Sequence, residues 1–122
     1  MYGATAGQVG ILRFEASTNQ AVCAIYPNEN LTTEYTYYFF LHHKVALLTE
    51  AVGNAQPNIS QTKIKNTEIP VPPLSEQEEI VEVLDQAFIS IDTTNSNYKT
   101  KLDSLDELKK SILQKAFAGE LT

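Results

Sequence analysis

Cysteine, tryptophan and basic residues are scarce in this chain of 122 residues. A single cysteine, Cys23, cannot form a disulfide framework or a thiolate metal site, so the cysteine content gives no sign of secretion. Nine lysines and arginines stand against fifteen acidic residues, which excludes a protein held to nucleic acid by bulk positive charge. No apolar run reaches the roughly 18 residues of a membrane span, and no signal peptide is recognisable. We therefore expect a cytoplasmic protein with no membrane partner.

The hydrophobic content of 43% is sufficient for a packed core, and the length is that of one domain at most. The acidity is unevenly distributed. Residues 1–75 carry four basic and five acidic residues, a net charge of −1, whereas residues 76–122 carry five lysines and ten acidic residues, a net charge of −5. The first 75 residues are thus nearly neutral and could approach a phosphate backbone, although the whole chain is acidic.

Short runs rich in β-branched and aromatic residues predict strands in the first part of the chain. Residues 9–14 and 21–26 flank a turn-like cluster at 16–19, which predicts a β-hairpin. Residues 68–71 predict a short strand at a sheet edge, because the neighbouring prolines cannot donate to a ladder.

Helix signals are clearer. Thr32 or Thr33 can cap a helix running to about Glu50, whose wide apolar surface predicts extensive packing. Ser60 can cap a single helical turn that continues through Lys65.

The last third of the chain predicts one long helix over residues 76–117, about 60 Å at 1.5 Å per residue. Ser75 and Glu78 fit a capping box, and Gly119 fits a helix end. Apolar residues seven apart predict a coiled coil, in which the polar stretch 92–97 is the weakest point and the expected place for a break. The predicted coiled-coil interface consists of Leu84, Ala87, Ile91, Tyr98, Leu102, Leu105, Leu108 and Ile112.

These expectations define an α+β fold. A small mixed α/β portion over residues 1–75, with a β-hairpin, a helix and an edge strand, is followed by one long C-terminal coiled-coil helix over residues 76–122.

No catalytic constellation is recognisable, so we expect neither an enzyme nor a bound cofactor or metal. His42 and His43 are adjacent on a predicted helix and point about 100° apart, which does not suit one metal ion. Cys23 lies in a predicted strand, where an inert core cysteine is the ordinary interpretation.

Two polar loops offer side chains that could contact DNA. Amides can recognise adenine edges, and lysines can bind guanine or phosphates. Composition alone favours ordinary solvated loops. The candidate DNA-binding residues are Thr5 and Gln8 in the first loop, Asn54, Gln56, Asn58, Ser60 and Gln61 in the second, and Lys63 and Lys65 just after it.

Three segments, in order, resemble one protein family. Residues 53–60, Gly-Asn-Ala-Gln-Pro-Asn-Ile-Ser, lead to residues 69–77, Ile-Pro-Val-Pro-Pro-Leu-Ser-Glu-Gln. This junction, the Gly-Ala-Thr-Ala-Gly segment at 3–7 and the tail at 111–122 are similar to the specificity subunits of type I restriction–modification systems. The resemblance covers nearly the whole chain, as the second half of one target recognition domain plus one conserved-region helix.

The resemblance implies a non-catalytic module that recognises double-stranded DNA, with a helix that acts as a spacer and docks the modification and restriction subunits. Family members usually carry two recognition domains and two such helices, which pack antiparallel, in about three times this length. Whether this chain is a functional half-module, a truncated copy or a recombination cassette stays open.

The single long helix leads to a further expectation, a homodimer in which each copy supplies the helix that the other lacks. The competing interpretation is a coiled-coil interaction protein with a small α+β head and no nucleic-acid role. An enzyme ranks third, because no set of residues supports it.

Overall fold

Three helices form the framework of the protein: α1 (Thr33–Thr49), α2 (Gln61–Lys65) and α3 (Leu74–Phe117). The structure, a computed structural model, describes residues 6–49 and 59–120. The chain divides within α3 into two units, Met1–Glu82 and Val83–Thr122.

α1 begins where the sequence predicts it. The Tyr35 N–H donates to the Thr32 hydroxyl over 3.3 Å, so Thr32 caps the first turn. Apolar side chains surround the whole helix, and Tyr35 and Leu47 are buried. The predicted helix from Thr32 or Thr33 to about residue 50 is therefore confirmed, and its packing on several sides follows from the breadth of its apolar surface.

α2 is a single turn that is held by its cap. The Ser60 hydroxyl accepts a hydrogen bond from the Lys63 N–H over 3.2 Å, as the sequence predicts. Its one buried residue, Ile64, points into the core of the first unit.

α3 begins one residue before Ser75, so the predicted capping box is wrong. The Pro73 carbonyl accepts hydrogen bonds from the N–H groups of Glu76 and Gln77, each over 3.0 Å. Proline has a backbone angle φ that already suits a helix, so the first turn forms without a serine cap. Ser75 consequently lies inside the first turn.

α3 is continuous through residues 92–97, where the polar sequence predicts a break. The Thr93 hydroxyl donates to the Ile89 carbonyl over 2.9 Å, and the Thr94 hydroxyl donates to the Ser90 carbonyl over 2.8 Å. These side chains satisfy their hydrogen bonds on the preceding turn, so they do not compete with the helical backbone.

The end of α3 is a Schellman motif. Gly119 has a φ of 76°, its N–H donates to the Ala116 carbonyl, and the Glu120 N–H donates to the Lys115 carbonyl over 2.9 Å. The predicted role of Gly119 is confirmed, because a left-handed residue is what this motif requires.

The predicted α+β class is wrong. About 62% of the described residues are helical, and within residues 6–49 and 59–120 the only strand-like pairing is an isolated bridge between Asn28 and Leu31. A turn does form near the expected hairpin, but the Val22 N–H donates to the Asn19 carbonyl, so it closes three residues beyond the predicted cluster at 16–19.

Side-chain contacts and prolines explain why the predicted strands are absent. Phe14 and Tyr26 are exposed, and Arg13 pairs with Glu34 of α1 over 3.0 Å. This exposed ion pair links the first run to α1, and neither run has a backbone partner strand within the described residues. Residues 68–71 form no ladder, because the prolines around them lack the N–H groups that a ladder needs.

The core of the first unit lies where α1 and α2 meet the segments around them. Leu47, Ile59 and Ile64 are buried together, and Cys23 and Phe40 are half-buried against them. Cys23 therefore contributes to the packing, although it lies in no strand and is only half-buried. Within the described ranges, no helix has the length and apolar character needed to cross a bilayer.

Candidate nucleic-acid interface

The structure brings the first candidate loop against the second. Gly7 has a φ of 75°, and a methyl group added to it would lie 3.4 Å from Cδ1 of Ile59. Only glycine adopts this backbone conformation readily, and Cβ is absent where the two segments come closest. Gln8 follows Gly7 and Ser60 follows Ile59, so both residues are chain neighbours of this contact, and both are exposed.

α2 adds basic residues beside this contact. Ser60 uses its hydroxyl as the helix cap, and Gln61 and Lys65 are exposed at the two ends of the turn. Lys63 is half-buried between them. The predicted residues Gln8, Ser60, Gln61, Lys63 and Lys65 therefore belong to one region of the first unit.

Four predicted DNA-binding residues lie outside the described ranges: Thr5, Asn54, Gln56 and Asn58.

Lys44 is a member of this region that the sequence did not single out. Its Cγ would lie 3.1 Å from a methyl group on Gly7, so its aliphatic stem covers the contact between the two loops. Lys44 is on α1, far from both loops in the chain, and only the folded arrangement places it there. Neither Lys44 nor Lys65 is paired with a carboxylate in the described ranges.

The chemistry available in this region is hydrogen bonding and positive charge. Three lysines, two exposed amides and one hydroxyl suit contacts with phosphates and base edges. Across residues 6–49 and 59–120, no group of three or more His, Cys, Asp or Glu side chains could hold a metal ion. His43 stacks on Phe39 with ring centres 5.3 Å apart, which gives this histidine a packing role.

Within the first unit, a buried glutamine joins the segment before α1 to the first turns of α3. Gln77 has no exposed surface, and its carbonyl oxygen accepts from the Thr32 N–H over 3.0 Å. Its amide nitrogen donates to the carbonyls of Asn30 and Pro72, each over 2.8 Å. Tyr35 adds a fourth bond nearby, because its hydroxyl donates to the Pro70 carbonyl over 3.1 Å. The sequence carried no signal for this clamp beyond the motif in which Gln77 lies.

We define the α3 seam as the predicted interface residues of α3, which all lie in the second unit: Leu84, Ala87, Ile91, Tyr98, Leu102, Leu105, Leu108 and Ile112. Most of the seam is exposed. Ile91 is 52% exposed, Tyr98 62% and Leu105 60%. The other predicted interface residues follow the same trend: Ala87, Leu102, Leu108 and Ile112 are exposed and Leu84 is half-buried. Exposed apolar stripes of this kind are typical of surfaces that bind another protein.

Comparison with known proteins gives one consistent result. The family described as "Type I restriction modification DNA specificity domain" matches residues 1–115. The chain is 33% identical to the specificity subunit of the type I restriction enzyme EcoDI of Escherichia coli, over 87% of this chain and 25% of that protein. It is 31% identical to the EcoBI specificity subunit of Escherichia coli, over 95% of this chain and 26% of that protein.

A third relative matches a shorter stretch more closely. The specificity subunit of the type I restriction enzyme StySPI of Salmonella potsdam is 45% identical over 55% of this chain and 14% of that protein. No solved structure matches the chain. The chain spans about a quarter of the length of the first two relatives, and it belongs to the family of type I restriction–modification DNA specificity domains.

Proposed function

We propose that this chain is a DNA sequence-recognition module of a type I restriction–modification specificity subunit, with no catalytic role of its own. The observation that carries the proposal is the contact at Gly7: this residue of the first polar loop lies against Ile59, beside the second polar loop, and against Lys44 of α1. The chain also matches the specificity-domain family over residues 1–115. The region concentrates lysines and amides in a chain that is otherwise acidic.

The roles that we propose for the individual residues follow from the chemistry of their side chains. Lys44, Lys63 and Lys65 bind phosphates and position the duplex, because an ammonium group attracts any phosphate regardless of sequence. The exposed amides of Gln8 and Gln61 contact base edges, with Ser60 beside them. The sequence predicts the same role for Thr5, Asn54, Gln56 and Asn58, which lie outside the described residues.

In this proposal, α3 binds the other subunits of the system. Its seam docks the modification and restriction subunits of the same system and a second copy of the chain. The family relatives are named specificity subunits of restriction enzymes, which supports partners of this kind. The place of action is the cytoplasm, where chromosomal DNA and these subunits are found together.

Salt-dependent DNA binding tests the lysine assignments. Each substitution Lys44→Ala, Lys63→Ala or Lys65→Ala removes one phosphate contact, so we expect weaker binding to every sequence. The slope of log affinity against log salt should become shallower by about 0.9 per lysine. Fluorescence anisotropy with the full chain assembled with its modification subunits measures both quantities. Lys115→Ala, the same charge change near the end of α3, is the matched control and should leave the slope unchanged.

Sequence preference tests the amide assignments. Gln8→Ala and Gln61→Ala keep the charge, so we expect the salt dependence of DNA binding to stay the same. The set of methylated sites should change, because each lost bidentate contact removes about 1–3 kcal/mol of discrimination between bases. Sequencing of modified DNA identifies those sites. An unchanged target in both variants, with unchanged slopes in the lysine variants, would favour the interaction protein without a nucleic-acid role.

A further inference from the structure

Arg13 is the single arginine of the chain and the single basic residue within residues 1–43. Its side chain is 73% exposed, and its Nη2 donates to Oε1 of Glu34 over 3.0 Å. Within the described residues, Glu34 is the one hydrogen-bond partner of this guanidinium, and its own side chain is 40% exposed. An ion pair that is open to water contributes little to stability, so Arg13 is available to another partner.

Two contacts show that residues 7–13 run beside α1 toward its first turn. Gly7 lies against the side chain of Lys44, and Arg13 reaches Glu34. Lys44 and Glu34 are ten residues apart on α1, which is about 15 Å along the helix axis. Six residues of extended chain span up to about 20 Å, so this segment covers the distance between the two contacts.

The burial of this segment alternates, as it does in an extended chain with one side covered. Val9 and Ile11 are half-buried, whereas Gln8 and Leu12 are exposed. Gln8 and Arg13 are thus the two ends of an open strip about 15 Å long. This length corresponds to about four base-pair steps of about 3.4 Å each.

The chemistry of the guanidinium group suits a base better than a phosphate here. The group carries five N–H donors in a rigid fork, and the described bond to Glu34 uses one of them. The same fork matches O6 and N7 of guanine in the major groove. The acidic residues Glu15, Glu29 and Glu34 leave residues 1–43 with a net negative charge, which disfavours a phosphate contact in this part of the chain.

We propose that Arg13 recognises a guanine in the DNA target and that Glu34 holds the arginine until this guanine replaces the carboxylate. The inference rests on the DNA recognition in the proposed function and adds a residue and a base to it. On an unrelated sequence, Arg13 stays with Glu34 and adds no affinity. On the target, two bonds to guanine replace one exposed bond to a carboxylate. Glu34 is a positioning residue that acts through Arg13.

Loss of base discrimination tests the role of Arg13. In the full chain assembled with its modification subunits, Arg13→Ala removes the guanine contact. The sequenced set of methylated sites should then lose its preference for guanine at one position, with discrimination falling about tenfold or more. The slope of log affinity against log salt should persist, because no phosphate contact is lost. The relaxed position should lie about four base pairs from the one that Gln8→Ala changes.

The other outcomes separate this inference from the proposed function. An unchanged set of methylated sites in Arg13→Ala overturns the inference. Unchanged sites together with a slope shallower by about 0.9 overturn it as well, because Arg13 would then be a phosphate contact. In both cases the proposed function stands if the lysine variants change the slope. If neither the lysine nor the glutamine variants alter DNA binding, the proposed function fails and this inference fails with it.

Glu34→Gln tests the holding role of the carboxylate. It frees Arg13 for any phosphate, so fluorescence anisotropy with a duplex that lacks the target should show binding about fivefold tighter, and the ratio of target to non-target affinity should fall. Glu29→Gln is the matched control: Glu29 is exposed, precedes α1 and has no bond to Arg13 within the described residues. It makes the same charge change and should have a much smaller effect.

A double substitution shows whether Glu34 acts through Arg13. In an Arg13→Ala background, Glu34→Gln should alter non-target binding no more than Glu29→Gln does, because there is no arginine to release. Equal tightening by Glu34→Gln and Glu29→Gln in the parent chain, or the full effect of Glu34→Gln without Arg13, would mean that the carboxylate acts by charge alone. Either result contradicts the holding role.

Discussion

Gln77 shows how one side chain can satisfy three backbone groups at once. Its amide reaches the Thr32 N–H and the carbonyls of Asn30 and Pro72, and water has no access to it. A buried backbone group that loses its partner costs about 1–3 kcal/mol. The clamp therefore stabilises the region where the segment before α1 meets the first turns of α3.

Replacement of Gln77 should be strongly destabilising. Gln77→Met keeps the approximate volume but removes all three hydrogen bonds, so we expect the free energy of unfolding to fall by about 1–3 kcal/mol. Gln77→Glu keeps an acceptor for the Thr32 N–H and loses both donors. Amide hydrogen exchange should show rapid exchange at Thr32 in Gln77→Met and slower exchange in Gln77→Glu.

Gln86→Met is the control for this prediction, because Gln86 is an exposed residue of α3 and its replacement should change stability by less than about 0.5 kcal/mol. The same stability loss in both methionine variants would show that the buried clamp contributes nothing specific.

At the scale of elements, two glycines with the same backbone angle stand in different surroundings. Gly7 has a φ of 75° and lies against Lys44 and Ile59, whereas Gly119 has a φ of 76° at the end of α3, with no other atoms within 4 Å of an added methyl group. The strain of a side chain is common to both positions, about 1–2 kcal/mol. Crowding is present only at Gly7.

Alanine substitutions should separate these two effects. Gly7→Ala combines strain with crowding, so we expect a larger loss of stability than for Gly119→Ala, whose cost is the strain alone. Gly10→Ala is the control, because Gly10 has no positive φ and nothing close to an added methyl group. Chemical denaturation should rank Gly7→Ala as least stable and Gly10→Ala as equal to or more stable than the parent. Equal losses of stability in Gly7→Ala and Gly119→Ala would mean that crowding against Lys44 and Ile59 adds nothing to the cost of the substitution at Gly7.

The same scale shows what the sequence could predict. The three helices are confirmed because their signals are local: the Thr32 and Ser60 caps and the Gly119 end act within one turn. The strands are wrong because a strand needs a partner strand from elsewhere in the chain, and the described residues supply only an isolated bridge between Asn28 and Leu31. Hydrophobic runs alone do not specify which neighbour covers them.

At the scale of the whole molecule, the seam governs association. Leu105→Lys places a charge at a position that the proposed dimer buries, so we expect the dissociation constant of the dimer to rise at least about tenfold, with the fold of Met1–Glu82 unchanged. Ile89→Lys is the matched control, since Ile89 is equally exposed at 59% but lies outside the seam. Analytical ultracentrifugation measures both, and dissociation by Ile89→Lys to the same extent would place the interface elsewhere.

The candidate interface was predictable in part. The polar loops and the lysines of α2 could be chosen from residue type and position. Lys44 could not, because its role depends on α1 passing beside Gly7, a contact between residues far apart in the chain. The role of Gln77 could not be predicted either, because the burial of a polar residue depends on packing and not on its own hydrophobicity.

The clamp of Gln77 places little restriction on the side chains of the residues that it binds. All three of its partners are main-chain atoms, at residues 30, 32 and 72. Main-chain groups are common to every amino acid, except that proline lacks the N–H needed at position 32. The hydrogen bonds of Gln77 therefore leave the side chains at residues 30 and 32 unrestricted, apart from excluding proline at position 32.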